Sequence, residues 1–189
     1  MTKRRFVVPL PGNDSQQIIW NLPLEESYFI DKSLNQLTLY TWGQTQIVLS
    51  KGTHQADLQV AVVDPWGYLQ THKMTKQEAD DLVLKIQQAQ RIWIEEILDP
   101  EDQDEGGKDL NKRQIIELGK ENSVIETGYD PVDDAHFVRV HWDHRYSLQE
   151  DYIFQVADPQ GIKPSSFFRG NLVRMTQGEI VDETFTREG

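Results

Sequence analysis

The sequence predicts an α+β fold, in which an antiparallel β-sheet formed by both ends of the chain packs on one long central helix at about residues 75–98 and a second, short helix at about residues 110–118. Apolar residues recur every three or four positions through the middle of the chain, as they do on the buried face of an α-helix. Runs rich in β-branched and aromatic residues, separated by Gly and Pro, lie on both sides of it. The 189 residues, 10% of them aromatic, are enough to bury a core.

The central helix is predicted from a start, a stop and an apolar stripe. Thr75 and Glu78 have the spacing of a capping box, in which each side chain bonds to the backbone amide of the other residue. Pro100 disfavours helical backbone at Asp99 and therefore marks the end. The stripe consists of Ala79, Leu82, Val83, Ile86, Ala89, Trp93 and Ile97.

Further apolar residues widen this stripe beyond what a single core contact needs. One interpretation is that the helix is packed on two sides within one molecule. The other is a homodimer formed through helix 75–98, with Ile92 and Leu98 in the partner face.

The rest of the chain is predicted to be strands, turns and one short helix. Asp64 to Gly67 has the composition of a type I turn, with Pro at its second position and Gly at its fourth. Asp109 is a candidate N-cap for the short helix, and Gly119 is a candidate stop. Strands are expected at residues 6–9, 17–20, 28–30, 37–42, 46–49, 58–63, 137–142, 152–157, 167–175 and 179–185, with a last turn at 177–178.

Residues 99–107 are acidic, end in two glycines and contain no apolar residue. That composition is typical of a mobile linker. We expect a single composite domain over residues 1–189, because neither group of strands offers much core alone. The alternative is two halves, 1–98 and 108–189, joined by this linker.

Composition argues against several classes of function, direct nucleic-acid binding among them. A net charge of −12 repels nucleic acid and anionic membranes. The absence of cysteine excludes disulfides, thiolate zinc sites and a cysteine nucleophile. The basic residues near the start are not followed by an apolar segment of signal-peptide length, and no run approaches a membrane span. These features predict a soluble, cytoplasmic protein.

One candidate site is a cluster of histidines and carboxylates near residues 133–151. His141 and Asp143 would share a face of an extended strand, His144 would join them if the strand bends, and Glu150 would come from the next strand. Imidazole with carboxylate is a ligand set for zinc, iron or manganese. The cluster therefore predicts a divalent metal and a metal-dependent hydrolase, against the alternative that these are surface residues at a strand end.

A second candidate is the acidic segment itself. Asp102, Asp104 and Glu105 could contact a protein partner with a basic surface, and the special case is a protein that mimics nucleic acid. The segment does not match a calcium-binding EF-hand loop, because the required Gly and Glu positions are not met together.

The function predicted from the sequence is therefore a non-enzymatic interaction or regulatory protein that acts through its acidic surface. The metal-dependent hydrolase is one alternative. The other is a small-ligand binding module built from a curved sheet with interior aromatic residues.

Overall fold

The computed structural model describes residues 4–10, 13–22, 29–44, 47–103, 106–119, 122–173 and 176–177. Side chains are described within residues 29–173, with the same gaps. The chain divides into two compact units, one of Met1–Tyr28 with Val173–Gly189 and one of Phe29–Leu172. In chain order the elements are β1 (Arg4–Leu10), β2 (Asn13–Leu22), β3 (Leu37–Leu39), β4 (Val48–Leu49), β5 (Gln55–Val60), α1 (Lys76–Ala89), β6 (Arg91–Glu96), β7 (Arg113–Glu117), β8 (Val124–Asp130), β9 (Ala135–His141), β10 (Tyr152–Ile153), β11 (Gln155–Asp158), β12 (Gly161–Pro164), β13 (Ser166–Arg169) and β14 (Thr176–Gln177).

The first unit is a small antiparallel sheet in the order β1-β2-β14. Its strand register shifts between Pro9 and Leu10. The strands predicted at 6–9 and 17–20 are confirmed, since they lie within β1 and β2. The strand predicted at 179–185 lies outside the described residues, and so does the second residue of the turn predicted at 177–178.

The second unit is built on a seven-stranded sheet in the order β7-β6-β13-β3-β5-β9-β8, in which every pairing is antiparallel. Its described edges are β7 and β8. Two short antiparallel pairs, the long-range pair of β4 with β10 and the hairpin of β11 with β12, complete the strand structure of this unit.

The predicted α+β packing on a long central helix is wrong. Among the described residues only α1 is an α-helix, and most of the remaining regular structure is antiparallel sheet. Two single-turn 3-10 helices, Lys32–Leu34 and His144–Tyr146, are the other helical segments of the described chain.

The predicted helix 75–98 is a helix followed directly by a strand. Its start is confirmed, because Thr75 and Glu78 form both bonds of the capping box. It ends at Gln90, which has a left-handed backbone with φ 59° and donates its amide N–H to the Ile86 carbonyl. The next residue already belongs to β6, so no loop separates the two elements.

Residues 91–96 form a strand because of their alternation. Ile92 and Ile94 are fully buried, whereas Trp93 between them is only partly buried. A helix would spread these three consecutive residues over different sides, but a strand buries the two isoleucines on one face and projects the indole from the other. Trp93 and Ile97 also fit the helical spacing of the apolar residues in α1, and for this reason residues 91–98 were predicted as part of the helix.

The partner face predicted for a homodimer through helix 75–98 is changed by this result. Ile92 is 0% exposed and Leu98 is 8% exposed, so both residues belong to the interior. Dimerisation itself stays a prediction, but these two side chains are not at the surface.

The second predicted helix, 110–118, is also wrong, because this segment contains β7. Ile116 is buried at 0% exposure and its neighbour Ile115 is 53% exposed, which is the alternation of a strand rather than a helical face. The strand pairs with β6 in register, with Ile116 opposite Ile92 and Ile115 opposite Trp93.

Other local predictions hold. The strand predicted at 137–142 coincides with most of β9. The Asp64–Gly67 turn is confirmed by a bond from the Gly67 amide to the Asp64 carbonyl at 3.0 Å. Strand β8, which pairs with β9, was not predicted, because Val124–Asp130 contains few apolar residues.

The described part of the predicted linker is a turn. The Asp99 side chain accepts a bond from the Glu101 amide at 2.8 Å, and its carbonyl accepts one from the Gln103 amide at 2.8 Å. The Gln103 side chain donates to the Ala157 carbonyl at 3.0 Å. These bonds attach the start of the segment to β11.

The seven-stranded sheet has two faces of different character. Its helix face carries Ile92, Ile94, Leu58, Val138 and Val140, which form one core with the buried residues of α1. The opposite face, called the outer face here, carries the alternate residues of the same strands. The buried side chains of α1 are Ala79, Leu82 and Ile86.

No helix in the described part of the chain has the length and apolar character needed to cross a bilayer.

Candidate functional site

Asp143, the central residue of the predicted metal cluster, has both carboxylate oxygens occupied. It accepts bonds from the Arg145 guanidinium at 3.1 and 2.9 Å, from the Arg145 amide at 2.9 Å and from the Asn122 side chain at 3.0 Å. These hydrogen bonds hold the pKa of Asp143 well below its ordinary value, and the bonds from the Arg145 guanidinium have the largest effect. A metal bound here would have to displace them.

The other predicted ligands do not gather around Asp143. His141 lies on β9 between Gln55 and Val124, and Glu150 is exposed. The His144 ring instead contacts His54, with ring centroids 3.9 Å apart. His54 was missed in the sequence because it lies ninety positions away from His144 in the chain.

Within the described residues, no three His, Asp or Glu side chains converge in an arrangement that could hold a metal ion. The metal site of His141, Asp143, His144 and Glu150 therefore stays a prediction. Of the groups near this site, the His54 and His144 rings contact each other, and the Asp143 carboxylate already accepts hydrogen bonds from protein donors.

The predicted partner-binding carboxylates are only partly described. Asp102 is exposed, as expected for a contact residue. Asp104 and Glu105 lie outside the described residues. The acidic contact with a basic partner therefore also stays a prediction.

The outer face carries an aromatic cluster that is separate from the main core. Tyr40 and Phe137 stack with ring centroids 5.0 Å apart, and both are buried together with Ala135. The Phe137 ring lies over Gly128 of the neighbouring strand, where an added Cβ would come within 2.2 Å of ring carbon. Only glycine at position 128 leaves space for this ring.

Trp42 covers one side of the cluster. Its ring meets Phe137 and Tyr40 edge to face at centroid distances of 4.9 and 5.3 Å, and 46% of the residue is exposed. Its backbone is left-handed, with φ 50°, a conformation that costs a non-glycine residue about 1–2 kcal/mol. Side-chain contacts therefore hold Trp42 in place against its backbone preference.

Asp57 fixes the orientation of the indole. Its Oδ2 accepts a bond from Trp42 Nε1 at 2.9 Å, and its two oxygens accept a bidentate pair of bonds from Arg139 at 2.7 and 2.9 Å. The Arg139 guanidinium lies 5.3 Å from the ring centre of Phe137. Asp57 is thus a shared acceptor that ties a turn, β5 and β9 together.

A groove of about 180 Å³ lies at the ends of β3 and β5, and Trp42 is not among its lining residues. Thr41 and Gln44, which flank the Trp42–Gly43 turn, belong to its lining, as do residues of the loop before α1 and of the β11–β12 hairpin. The polar members of the lining are Thr38, Tyr40, Thr41, Gln44, Gln59, Gln70, Thr71, His72, Lys73, Asp133 and Gln155.

The charges of the groove are largely neutralised within the protein. The Lys73 ammonium donates to the Asp133 backbone carbonyl at 2.5 Å, and the Asp133 carboxylate lies 3.9 Å from the same nitrogen. The Tyr40 hydroxyl donates to Asp130 at 2.8 Å. Burial, together with that carboxylate, raises the pKa of Tyr40 above its ordinary value. Neutral amides and hydroxyls therefore dominate the chemistry that the groove offers.

Sequence reasoning placed Trp42 inside a strand and did not select it. The available signal was Gly43 directly after a β-run, since glycine between two β-runs marks a turn. The partners of Trp42 lie on β5 and β9, so the cluster depends on strand order that the sequence did not provide.

Comparison of the chain with protein-family models, with curated proteins and with solved structures gives no match.

Proposed function

We propose that this protein is a non-enzymatic binding module for a neutral, hydroxyl-rich ligand, with a carbohydrate as the expected class. The observation that carries the proposal is Trp42, a half-exposed indole that Asp57 and an aromatic cluster hold in a left-handed turn, and the residues flanking this turn, Thr41 and Gln44, line a polar groove. This is the small-ligand alternative among the three functions predicted from the sequence.

The conformation of Trp42 supports a binding role. Residues in unfavoured backbone regions persist where the surrounding structure holds them, and such residues concentrate at ligand sites. Here the indole packs against Phe137 and Tyr40 in edge-to-face geometry, and its only polar atom is bonded to Asp57. The remaining exposed part is apolar aromatic surface, on which the apolar side of a sugar ring can stack.

The lining of the groove suits hydroxyl groups. The amide of Gln44 and the hydroxyls of Thr41 and Thr71 can each donate and accept hydrogen bonds. The side-chain nitrogens of Gln59 and Gln70 already donate within the protein, and their amide oxygens can accept. A sugar hydroxyl also does both, so the two sets are complementary. Apolar contact on one side with a few polar groups on the other is the usual composition of a small-ligand site.

Charge narrows the ligand class. The net charge of −12 disfavours phosphorylated or carboxylated ligands. The cation nearest the groove, Lys73, is engaged by Asp133, and Arg139 on the outer face is engaged by Asp57. A neutral ligand needs neither cation.

The test is native affinity electrophoresis in gels that contain soluble neutral polysaccharides, followed by calorimetry with oligosaccharides from any polysaccharide that retards the protein. We expect at least one neutral glycan to bind. Trp42→Ala should weaken that binding by about tenfold, which corresponds to about 1.4 kcal/mol.

Tyr129→Ala is the matched control, because Tyr129 is an aromatic residue of similar exposure, 49%, whose ring contacts His136 rather than the outer cluster. The control should bind as the wild type does. Unretarded migration of the wild type across the whole neutral panel, or equal losses for the two variants, would contradict the proposal.

A further inference from the structure

We infer that the edge strand β8 is a homodimer interface, through which a second copy of this chain continues the seven-stranded sheet across a twofold axis centred on Thr127. This interface uses the open edge of β8, which contains neither Trp42 nor a residue that lines the groove. It also differs from the dimer predicted through helix 75–98, because it uses backbone groups of β8.

The first step is to establish which backbone groups of β8 are free. His136 and Trp142 donate their amides away from β8, to the carbonyls of Met74 and His54. Alternate residues of an antiparallel strand point to the same side, so His136, Val138 and Val140 all direct their backbone groups away from β8.

The residues of β8 opposite these three therefore turn their own backbone groups to the open edge. The register places Ile125 opposite Val140, Thr127 opposite Val138 and Tyr129 opposite His136. Within the described part of the chain, no hydrogen bond reaches the amide or carbonyl of Ile125, Thr127 or Tyr129. Each exposes one donor and one acceptor, at a spacing of two residues.

The edge has little of the usual protection against pairing, since its charged residues are only Glu126 in the strand and Asp130 at its end. Natural edge strands are commonly short, or carry Lys, Pro or a bulge. β8 has seven residues, no Lys and no Pro, and an unbroken register with β9. The other described edge, β7, has five residues, and the amide of its first residue, Arg113, is bonded to the Asn111 carbonyl.

The sequence of β8 is complementary to itself in one antiparallel register. With Thr127 at the twofold axis, the hydrogen-bonded pairs are Thr127 with Thr127, and Ile125 with Tyr129 in both directions. Each such pair exchanges two backbone bonds. Pairs of an aromatic and a β-branched residue are also favourable across strands.

Charge selects this register over its neighbours. With Thr127 at the axis, Glu126 lies opposite Gly128, which has no side chain. An axis at Glu126 would place this carboxylate opposite its own copy, and an axis at Gly128 would place it opposite Asp130. Like charges directly opposite each other are destabilising, so the two neighbouring registers are disfavoured.

The position of α1 is compatible with the dimer. The helix packs over β8 and β9, and strands are about 4.8 Å apart. Two such helices on either side of the axis would stand about 10 Å apart, which is the distance of packed helices. The Thr127 hydroxyl donates to Asp80 of α1 at 2.6 Å. Leu84 lies one helical turn after Asp80 and is 56% exposed. The apolar side chain of Leu84 therefore lies near the proposed contact.

The experiment uses the full chain and has two parts. Sedimentation of the wild type should give twice the mass of the 22.0 kDa chain. Because the protein contains no cysteine, single cysteines then report the register. In Thr127→Cys the two Cα atoms would be about 5.5 Å apart, within the range of a disulfide. We expect mild oxidation to convert this variant to a covalent dimer.

Two matched variants test the details. In Glu126→Cys the two thiols lie beyond disulfide reach in the proposed register, so this variant should remain uncrosslinked. Ile115→Cys places a thiol at the centre of the other edge, β7, and should also remain uncrosslinked. Reduced Thr127→Cys should sediment like the wild type, which shows that the variant folds.

Hydrogen exchange of the wild type gives the same answer without substitution. On dimerisation the amides of Ile125, Thr127 and Tyr129 should gain protection, whereas those of Glu126 and Gly128, which bond to β9 in the monomer, should change little. A monomeric mass at all concentrations overturns the proposal and leaves the edge to a strand of another protein. Crosslinking through Glu126→Cys or Ile115→Cys instead of Thr127→Cys also overturns it.

Discussion

The helix face and the outer face of the seven-stranded sheet are built from neighbouring residues of the same strands, yet different interactions hold them. On β7, Ile116 is buried in the main core and Ile115 is half exposed. On β9, Val138 belongs to the main core, whereas Arg139 pairs with Asp57. Strand alternation separates the two environments at every step.

Contacts on the outer face are mostly polar pairs between adjacent strands. Arg91 bonds to Glu117 at 2.8 Å, Arg169 bonds to Glu95, and Arg139 bonds to Asp57. Exposed ion pairs contribute little stability, but they fix the positions of side chains. The helix face therefore supplies most of the stability, and the outer face supplies a defined arrangement of aromatic and polar groups.

The largest expected effect is on the helix face. Ile116→Ala should lower the free energy of unfolding by about 2–5 kcal/mol, because it leaves a cavity in the packed core. Ile115→Ala changes the same residue type one position away and should alter it by less than about 0.5 kcal/mol. Urea unfolding of the two variants measures the difference, and similar values would mean that the faces are wrongly assigned.

The second expected effect is on the outer face. Gly128→Ala should lower the free energy of unfolding by about 1–3 kcal/mol, the usual cost of overpacking, because the new methyl group overlaps the Phe137 ring. It should also move Trp42, which contacts that ring, and weaken any ligand binding there. Gly119→Ala is the control, since an added Cβ meets its nearest neighbour at an ordinary 3.6 Å.

Denaturant unfolding and the tryptophan fluorescence spectrum measure these two consequences of Gly128→Ala. If Gly128→Ala and Gly119→Ala behave alike, the Phe137 ring does not depend on the glycine.

The smallest expected effect is a change of the free energy of unfolding with pH, which polar contacts show and apolar contacts do not. The bonds to Asp143 hold its pKa below the ordinary value in the folded protein, which is about 3.9 in an unfolded chain. Their stabilisation is complete above that value and is lost as the pH falls toward the folded pKa. The stability difference between wild type and Asp143→Asn should therefore shrink below about pH 4.

Thermal unfolding between neutral pH and pH 3 tests this dependence. Ile116→Ala serves as the comparison, because an apolar contact does not titrate, and its deficit should stay constant with pH. A deficit of Asp143→Asn that grows on acidification would reverse the assigned sign.

Local signals in the sequence were reliable where neighbouring residues decide the structure. The capping box of Thr75 and Glu78 and the Asp64–Gly67 turn depend on side chains that bond to nearby backbone, and both are present. The end of α1 could not be predicted, because Gln90 adopts the left-handed conformation without the glycine that usually marks it.

Predictions failed where distant strands decide the structure. β7 is a strand because β6 pairs with it, and the helical spacing of its apolar residues did not reveal this. β8 has weak patterning of its own and is ordered by β9. The Trp42 cluster was missed for the same reason, since Asp57 and Phe137 reach it from strands that only the topology brings together.

The direct passage from α1 to β6 through Gln90 has a consequence for the evolution of this chain. One residue inserted or deleted there would shift β6 by one position and exchange its faces, so that Trp93 would enter the core and Ile92 and Ile94 would leave it. The Asp64–Gly67 turn, by contrast, is exposed at its tip, where Trp66 is 79% exposed. In descendants of the same ancestor we expect length changes to accumulate at such turns and to be eliminated at residue 90.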